Sequence, residues 1–396
     1  MNEQEAKVAI VGAGPVGLSA ALSLSALGVP SVLLEAKFEP SADLRASTFH
    51  PPTLEMLDTL GLAEPLIGRG LITRDWQIRI HETGERAVFD LSLLEADTPF
   101  PFRLQCEQSV LCALAMQRAE ADDSIDVVRG FRVEGLTQDE AGVTIRAADG
   151  RTQRARWVIG SDGARSAVRE AAGFAFEGFT YPETTILATT PFAFHEHIVG
   201  LSNVNYCWSA HGTFSLLRLP AQWRCSLYAD PGESIDDAIR PAAVEAKLQR
   251  IVPRADGHEV TGLRPYRIHQ RIVETYRNGR VLLAGDAAHL NSPSGGMGMN
   301  GGIHDAFALA DALSAVLDGG SEALLDRYSR RRKAVAQDQI LAQAHRNRTR
   351  MQERDDAKRR EELARLQAIC ANPAQARDYL LKSSMIAGLR EAERIA

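Results

Sequence analysis

The chain has 396 residues, 45% hydrophobic and 24% charged, which suits two interlocked globular domains with a sizeable core and no need of disulfide staples. A formal net charge of −6 gives no basic field to recruit nucleic acid, and the absence of any run of about 20 apolar residues predicts no integral membrane segment. Cys106, Cys112, Cys207, Cys225 and Cys370 form no C-x-x-C pair, so the expectation is reduced thiols in a cytoplasmic protein, with no dithiol chemistry and no metal site.

Met1-Asn2-Glu3-Gln4-Glu5 has neither the basic start nor the apolar run of a secretory leader. Residues 8–11 are a continuous apolar run, suited to a strand buried on both faces. Gly12-Ala13-Gly14-Pro15-Val16-Gly17 follows, and residues 18–27 read as a helix stopped at Gly28. Residues 31–34 are a second strand, closed by Glu35. A short helix is expected over 53–60, ahead of Gly61. The period-two runs 76–81 and 87–91 predict a hairpin turning at Thr83-Gly84. Residues 104–121 have a helical pattern, and 131–156 read as a strand meander with turns at 140–142 and 149–150.

Residues 157–160 and 281–284 are two more buried strands, alike in character to 8–11 and 31–34, and all four are expected to share one sheet. Between them, 180–230 is rich in alternating strand patterns, and 234–251 reads as one helix. A glycine-rich loop follows residue 284 and opens a long helix of small residues over 302–317. The last seventy residues are expected to be helical, with breaks near Asn372-Pro373 and Gly388. Arginines crowd residues 346–365, but Glu353, Asp355, Asp356, Glu361 and Glu362 offset them, which describes a solvated helix of mixed charge.

Three turns carry the chemistry. Gly12-x-Gly14-x-x-Gly17 lies between a strand and a helix, where glycine permits a tight turn and close approach of a pyrophosphate to the helix N-terminus. Glu35, eighteen residues past Gly17, can accept from both hydroxyls of a ribose. Gly296-x-Gly298-x-x-Gly301 matches the same formula, but it follows no strand directly and no acidic residue closes a second strand beyond it, so a second dinucleotide site is rejected there. The other two turns are Gly160-Ser161-Asp162-Gly163-Ala164-Arg165-Ser166 and Gly285-Asp286-Ala287-Ala288-His289, the latter continuing through 293–300.

Together these motifs resemble the class A flavoprotein monooxygenases, the para-hydroxybenzoate hydroxylase-like family, over roughly residues 7–345. The resemblance implies an α/β fold: a Rossmann-like FAD-binding domain (1–75, 101–178 and 269–329), an inserted β-sheet substrate domain (76–100 and 179–268) and a C-terminal helical segment (330–396). It implies that Gly12, Gly14 and Gly17 cradle the FAD pyrophosphate and that Glu35 holds the adenosine ribose. Arg45 matches an arginine near the pyrophosphate and the nicotinamide nucleotide. Gln105, expected to open a helix, matches a flavin contact. Asp162 and Gly163 match a motif linked to FAD and NAD(P)H, and Asp286 matches the aspartate on the ribityl chain. Residues 293–300, with Gly295, Gly298, Met299 and Asn300, match the loop along the isoalloxazine ring, and Pro293 is expected to leave its carbonyl facing substrate. Met297 stands where the best-known members carry lysine.

The reaction so implied is hydroxylation of an aromatic or heteroaromatic small molecule with NADPH or NADH and O2, through a flavin C4a-hydroperoxide. Among polar residues of the inserted sheet, Tyr206, His211 and Tyr228 are the candidates to anchor or deprotonate substrate; His195, His197, Asn205 and Arg218 are weaker ones, and His289 reads as structural. The helical tail is expected to cover the substrate domain, with a homodimer surface as the alternative. Two other readings stay open: a related flavoprotein acting on an isoprenoid or quinone-type substrate, and a non-catalytic flavin-binding protein. A halogenase is disfavoured because Trp76, Trp157, Trp208 and Trp223 form no W-x-W-x-I-P segment.

Overall fold

The computed structural model describes residues 6–39 and 46–396. The four apolar runs do share a sheet. Its central order is Arg277–Asn278, Val281–Leu283, Thr152–Gly160, Ala6–Val11, Ser31–Glu35 and Ile125–Arg129. The last five of these strands are mutually parallel, with Val8 opposite Trp157 on one side and Ser31 on the other. Burial on both faces explains their unbroken hydrophobicity: Val8, Ala9, Ile10, Leu33, Val158, Ile159 and Leu282 are all inaccessible to solvent.

Helix Pro15–Ala26 packs with its small residues against a long helix, Met297–Leu317. Gly28 and Gly61 both have positive φ, as expected of residues that end helices. The expected helix over 53–60 begins earlier, at Pro51, where proline suits a first turn.

A second sheet has eight strands. Its order is His289–Leu290, Gly262–Val273, Phe176–Thr190, Trp223–Tyr228, Gly212–Arg218, Val204–Ser209, Asp75–Ile80 and Arg86–Asp90. Strand alternation gives it two unlike faces. One carries Ile186, Ala188, Cys207, Phe214, Leu216 and Cys225, which form a core with helix Pro241–Ile251. The other carries Tyr206, Ser215 and Ser226 in one row, and Thr185, Tyr228 and Tyr266 in the next.

The tail covers one end of this second sheet. Helices Asp356–Ala371, Pro373–Ser383 and Ile386–Glu393 bury Leu363, Leu366, Leu380 and Ile386 against Trp76, Phe89, Leu91 and Leu94. Tyr379 stacks on Phe89 at 4.6 Å, and Arg377 binds Asp97 at 2.7 Å.

Several sequence expectations need correction. Residues 103–105 form a strand, paired with Thr48–Phe49 and Leu71–Thr73, and the helix begins only at Gln108. The single helix expected over 234–251 is two, Ile235–Ala238 and Pro241–Ile251, because Pro241 can start a helix but cannot continue one. The long glycine-loop helix begins at Met297. Gly388 lies inside the last helix; the break is at Ser384 and Met385, the latter with φ +67.

Candidate active site

The three motif turns all sit at carboxyl ends of the parallel strands, where open α/β sheets bind ligands. They converge. A Cβ on Gly12 would lie 2.8 Å from Asp162 Cα, and Ser161 Oγ donates to the Val11 carbonyl at 2.8 Å. A Cβ on Gly285 would lie 2.8 Å from Val16 and 3.4 Å from Gly302 Cα. Glu35 reaches back to the first turn, its Oε2 accepting from Ala13 N at 2.8 Å.

Asp162 accepts from Ser166 Oγ and from Val168 N, the latter at 3.2 Å. Burial pushes its carboxyl up, and these donors pull it back in part. The next residue, Gly163, has φ +84. Asp286 lies exposed in the one-turn helix Gly285–Ala287. Arg45 lies outside the described residues.

Gln105 closes the strand Arg103–Gln105 and is fully buried. Its Oε1 accepts from Thr48 Oγ1 at 3.0 Å, while its Nε2 is buried with no partner among the described residues. Asn300 is also fully buried. It accepts from His50 N at 2.9 Å and donates to Thr48 O and Gly296 O. The loop ahead of the long helix is thus tied to residues 48–50. His50 Nε2 bonds the Gly295 carbonyl at 2.8 Å, and burial together with nearby Arg103 holds His50 well below the usual histidine range. The imidazole is therefore neutral and donates from Nε2. Gly298 and Met299 lie in the first turn of the long helix, Gly298 beside Asn291. The Pro293 carbonyl accepts from Gly296 N at 2.9 Å, closing the turn that lets Gly296 cap the helix in a left-handed conformation.

Where that loop meets the second sheet there is a small pocket lined by Trp76, Ile78, Arg103, Tyr206, Gly295 and Tyr379. Tyr206 stands at the edge of Trp76, and burial pushes its hydroxyl up while Arg103 and the Gly295 backbone pull it down. Of the three sequence candidates, Tyr206 alone lines this pocket. Tyr228 lies on the same sheet face, opposite Thr185. His211 does not approach it: it is exposed in the turn between Val204–Ser209 and Gly212–Arg218, beyond the closing pair Ser209–Gly212. Asn205 faces the other way and bonds Gln77 at 2.6 Å, and His195 and His197 lie in a short helix beside Trp223 and Phe192. His289 is fully buried against Asp305 at 3.0 Å. Sequence reading missed Arg103 and Tyr379. A basic residue inside the apolar segment Phe100 to Leu104 was the available signal for the first.

Two features test whether a dinucleotide suits this site. A Cβ on Gly14 would meet nothing within 4 Å, so there is open space over the turn, and the Gln105 amide has an unused buried donor. Both match an elongated ligand rich in acceptors. Among the described residues no His, Cys, Asp and Glu group could hold a metal, and no helix is long and apolar enough to cross a membrane.

Residues 5–343 match the family model of the FAD binding domain. The chain is 36% identical to the para-nitrophenol 4-monooxygenase of Pseudomonas sp. strain WBC-3, over 98% of this chain and 97% of that one. It is 34% identical to the 6-hydroxy-3-succinoylpyridine 3-monooxygenase of Pseudomonas putida, over 83% of this chain and 85% of the other. The crystal structure of p-nitrophenol 4-monooxygenase from Pseudomonas putida DLL-E4 superposes with a TM-score of 0.89 at 33% identity, covering 96% of this chain and 97% of that one.

Proposed function

Since the chain belongs to the FAD binding domain family and is a class A FAD-dependent aromatic monooxygenase, we propose that it uses NADH or NADPH and O2 to hydroxylate a small phenolic or heteroaromatic ring held between the Gly295 loop and Tyr206. The observation that carries this reading is the meeting of two features: three strand-end turns converge on Gly12–Gly17, and the aromatic pocket begins where the Gly295 loop ends. Bound FAD would supply the redox chemistry the side chains lack, with two electrons from the nicotinamide and O2 giving one oxygen atom to the ring and the other to water.

The chain's own groups bind, orient and exclude water. The N-terminus of helix Pro15–Ala26 and the space over Gly14 receive the pyrophosphate; Glu35 receives the ribose, its carboxylate held by Ala13 N. Gln105 Nε2 donates to the flavin portion, and Asp286 holds the ribityl chain. The N-terminus of helix Met297–Leu317 favours negative charge on the ring it faces. Asp162 and Gly163 support the nucleotide through their own turn, which packs against Gly12. Trp76, Ile78 and Tyr379 wall the substrate off from water, which protects a water-sensitive oxygen transfer. The five unbridged cysteines suit a reducing compartment, and we place the enzyme in the cytoplasm on that ground.

The reading is tested by screening NADH and NADPH oxidation against phenols and hydroxypyridines, then running the best ring compound under 18-O2. One labelled oxygen atom in the product is expected; a hydroxylated product without label, its oxygen drawn from water, rejects monooxygenation. A second measurement concerns the cofactor. Asp286 is exposed, so Asp286→Ala removes no buried side chain. It should nonetheless purify with much less FAD per chain, read from flavin absorbance. Stoichiometric yellow protein would contradict the ribityl role.

A further inference from the structure

The pocket beside Gly295 contains a buried charge that the protein does not neutralise. Arg103 is 2% exposed. It forms no ion pair with a carboxylate among the described residues. Its Nη2 donates to the Ser383 carbonyl at a long 3.3 Å, the guanidinium also hydrogen-bonds the Tyr206 side chain and lies 4.9 Å from the centre of the Trp76 ring, and its Nε is buried with no partner among the described residues. Arg332 and Arg224 are similarly buried, yet each faces a carboxylate, Asp305 at 2.5 Å and Glu107 at 3.8 Å. Arg79 also lacks one, but it lies in register with Cys207 on the other face of the sheet and donates to Val199 O.

Arginine stays charged in proteins, and a desolvated charge without a counterion is strongly unfavourable. Burial does lower Arg103 from the usual guanidinium range, with Tyr206 and Tyr379 opposing that. His50 and His304, both held low by burial, contribute no second positive charge. Arg350 also lines the pocket, but its Nε pairs with Glu362 at 2.8 Å, so among the described residues the site presents one cation without a carboxylate, flat aromatic surfaces from Trp76 and Tyr206, and an apolar floor at Ile78.

We propose that Arg103 is the charge-recognising residue of this pocket, which takes a planar aromatic anion with its ionised oxygen on the Arg103 guanidinium. The inference rests on the monooxygenase reading above and narrows it. A neutral ring would leave the buried guanidinium without a counter-charge; a phenolate or an aryl carboxylate supplies it, and an acceptor for Nε, in a charge-assisted bond. Tyr379 and Ser383 come from the tail helix Pro373–Ser383, so the tail completes the anion site rather than merely shielding it.

The test uses FAD-loaded protein titrated with 4-nitrophenol, 4-nitrobenzoate and the uncharged 4-nitroanisole, with binding read from difference absorbance. The parent should bind at least one of the two acids about tenfold or more tighter than the ether. If the phenol is the preferred acid, it should be bound as its coloured anion even below its own solution pKa. Preference for phenol over benzoate assigns the anion to a phenolate, the reverse to a carboxylate, and either supports the site. Arg103→Gln should weaken the preferred anion by roughly 10- to 100-fold and leave 4-nitroanisole almost unchanged, while Arg103→Lys restores part of the loss. FAD content and melting temperature are recorded for both variants. Should Arg103→Gln fail to fold, the ligand comparison in the parent decides alone. Equal binding of acids and ether by the parent, no binding of either acid, or unchanged anion affinity in Arg103→Gln overturns the inference. Oxygenation is scored separately with 18-O2. A parent that oxygenates a phenol while Arg103→Gln binds it equally well keeps the activity and loses the anion site. A parent that binds anions tightly but oxygenates none has the opposite outcome.

Discussion

Asp305→Ala is expected to destabilise the protein by about 3–5 kcal/mol, because it removes the carboxylate from a buried ion pair and leaves the cation behind. Asp305 is fully buried in helix Met297–Leu317. It accepts from Arg332 Nε at 2.5 Å, from His289 Nε2 at 3.0 Å and from Gly285 N at 3.0 Å. Without it Arg332 keeps, among the described residues, only the Gly301 carbonyl at 3.3 Å. The bond to Gly285 also fixes the turn that presents Asp286, so FAD retention should fall with stability. Urea unfolding of the apoprotein measures the first effect and flavin content the second; a variant that unfolds at the parent's midpoint would show that this network does not hold the turn.

The same group gives a pH dependence. Burial alone would push the Asp305 carboxyl up, but Arg332 and His289 outweigh it and hold it down to about 2. A folded pKa below the unfolded value of about 3.9 stabilises the protein above the unfolded pKa, and that stability is lost as pH falls through about 4 toward about 2. The contribution is on the order of 2 kcal/mol. Asp305→Asn should therefore flatten the acid limb of the stability profile.

What the sequence made legible was local. The turn at Gly12–Gly17 declares itself because strand, glycines and helix are contiguous, and the same holds for the turns after Gly160 and Ala284. Their convergence follows from four apolar runs of one character that can only be buried side by side. The pocket was less readable because its walls come from remote places: Trp76 from a sheet edge, Arg103 from residues resembling a helix start, Tyr379 from the tail. Arg103–Gln105 is a strand only because Thr48–Phe49 and Leu71–Thr73 pair with it, and non-local pairing overrode the helical pattern. His211 was misjudged for a different reason. Ala210-His211 is the two-residue turn between paired Ser209 and Gly212, so its side chain leaves the ladder, whereas Tyr206 keeps the alternation that points it to the pocket.

Gly14 and Gly17 share one motif, yet their alanine variants should fail in opposite ways. A Cβ on Gly17 would lie 1.9 Å from the Gly12 carbonyl oxygen and 2.6 Å from Ser161 Oγ. The nearer obstacle is backbone, so helix Pro15–Ala26 must move away from the strand ends and from the helix Met297–Leu317 it packs on. Overpacking of this kind costs about 1–3 kcal/mol, and the displaced helix N-terminus would lose the pyrophosphate as well. Gly17→Ala should thus lower the melting temperature of apoprotein and abolish FAD retention together. Gly14 has φ −77, a conformation alanine adopts without strain, and its Cβ would meet no protein atom within 4 Å. Gly14→Ala apoprotein should stay within about 0.5 kcal/mol of the parent. Its methyl group would nevertheless project into the space assigned to the pyrophosphate, and FAD affinity should fall by roughly 10- to 100-fold, a loss comparable to other small-to-large insertions. Melting curves of the two apoproteins beside FAD titrations separate the cases. Parent-like FAD affinity in Gly14→Ala would mean that the open space over the turn is not where the phosphates lie, and parent-like stability in Gly17→Ala would mean that the helix does not approach the strand so closely.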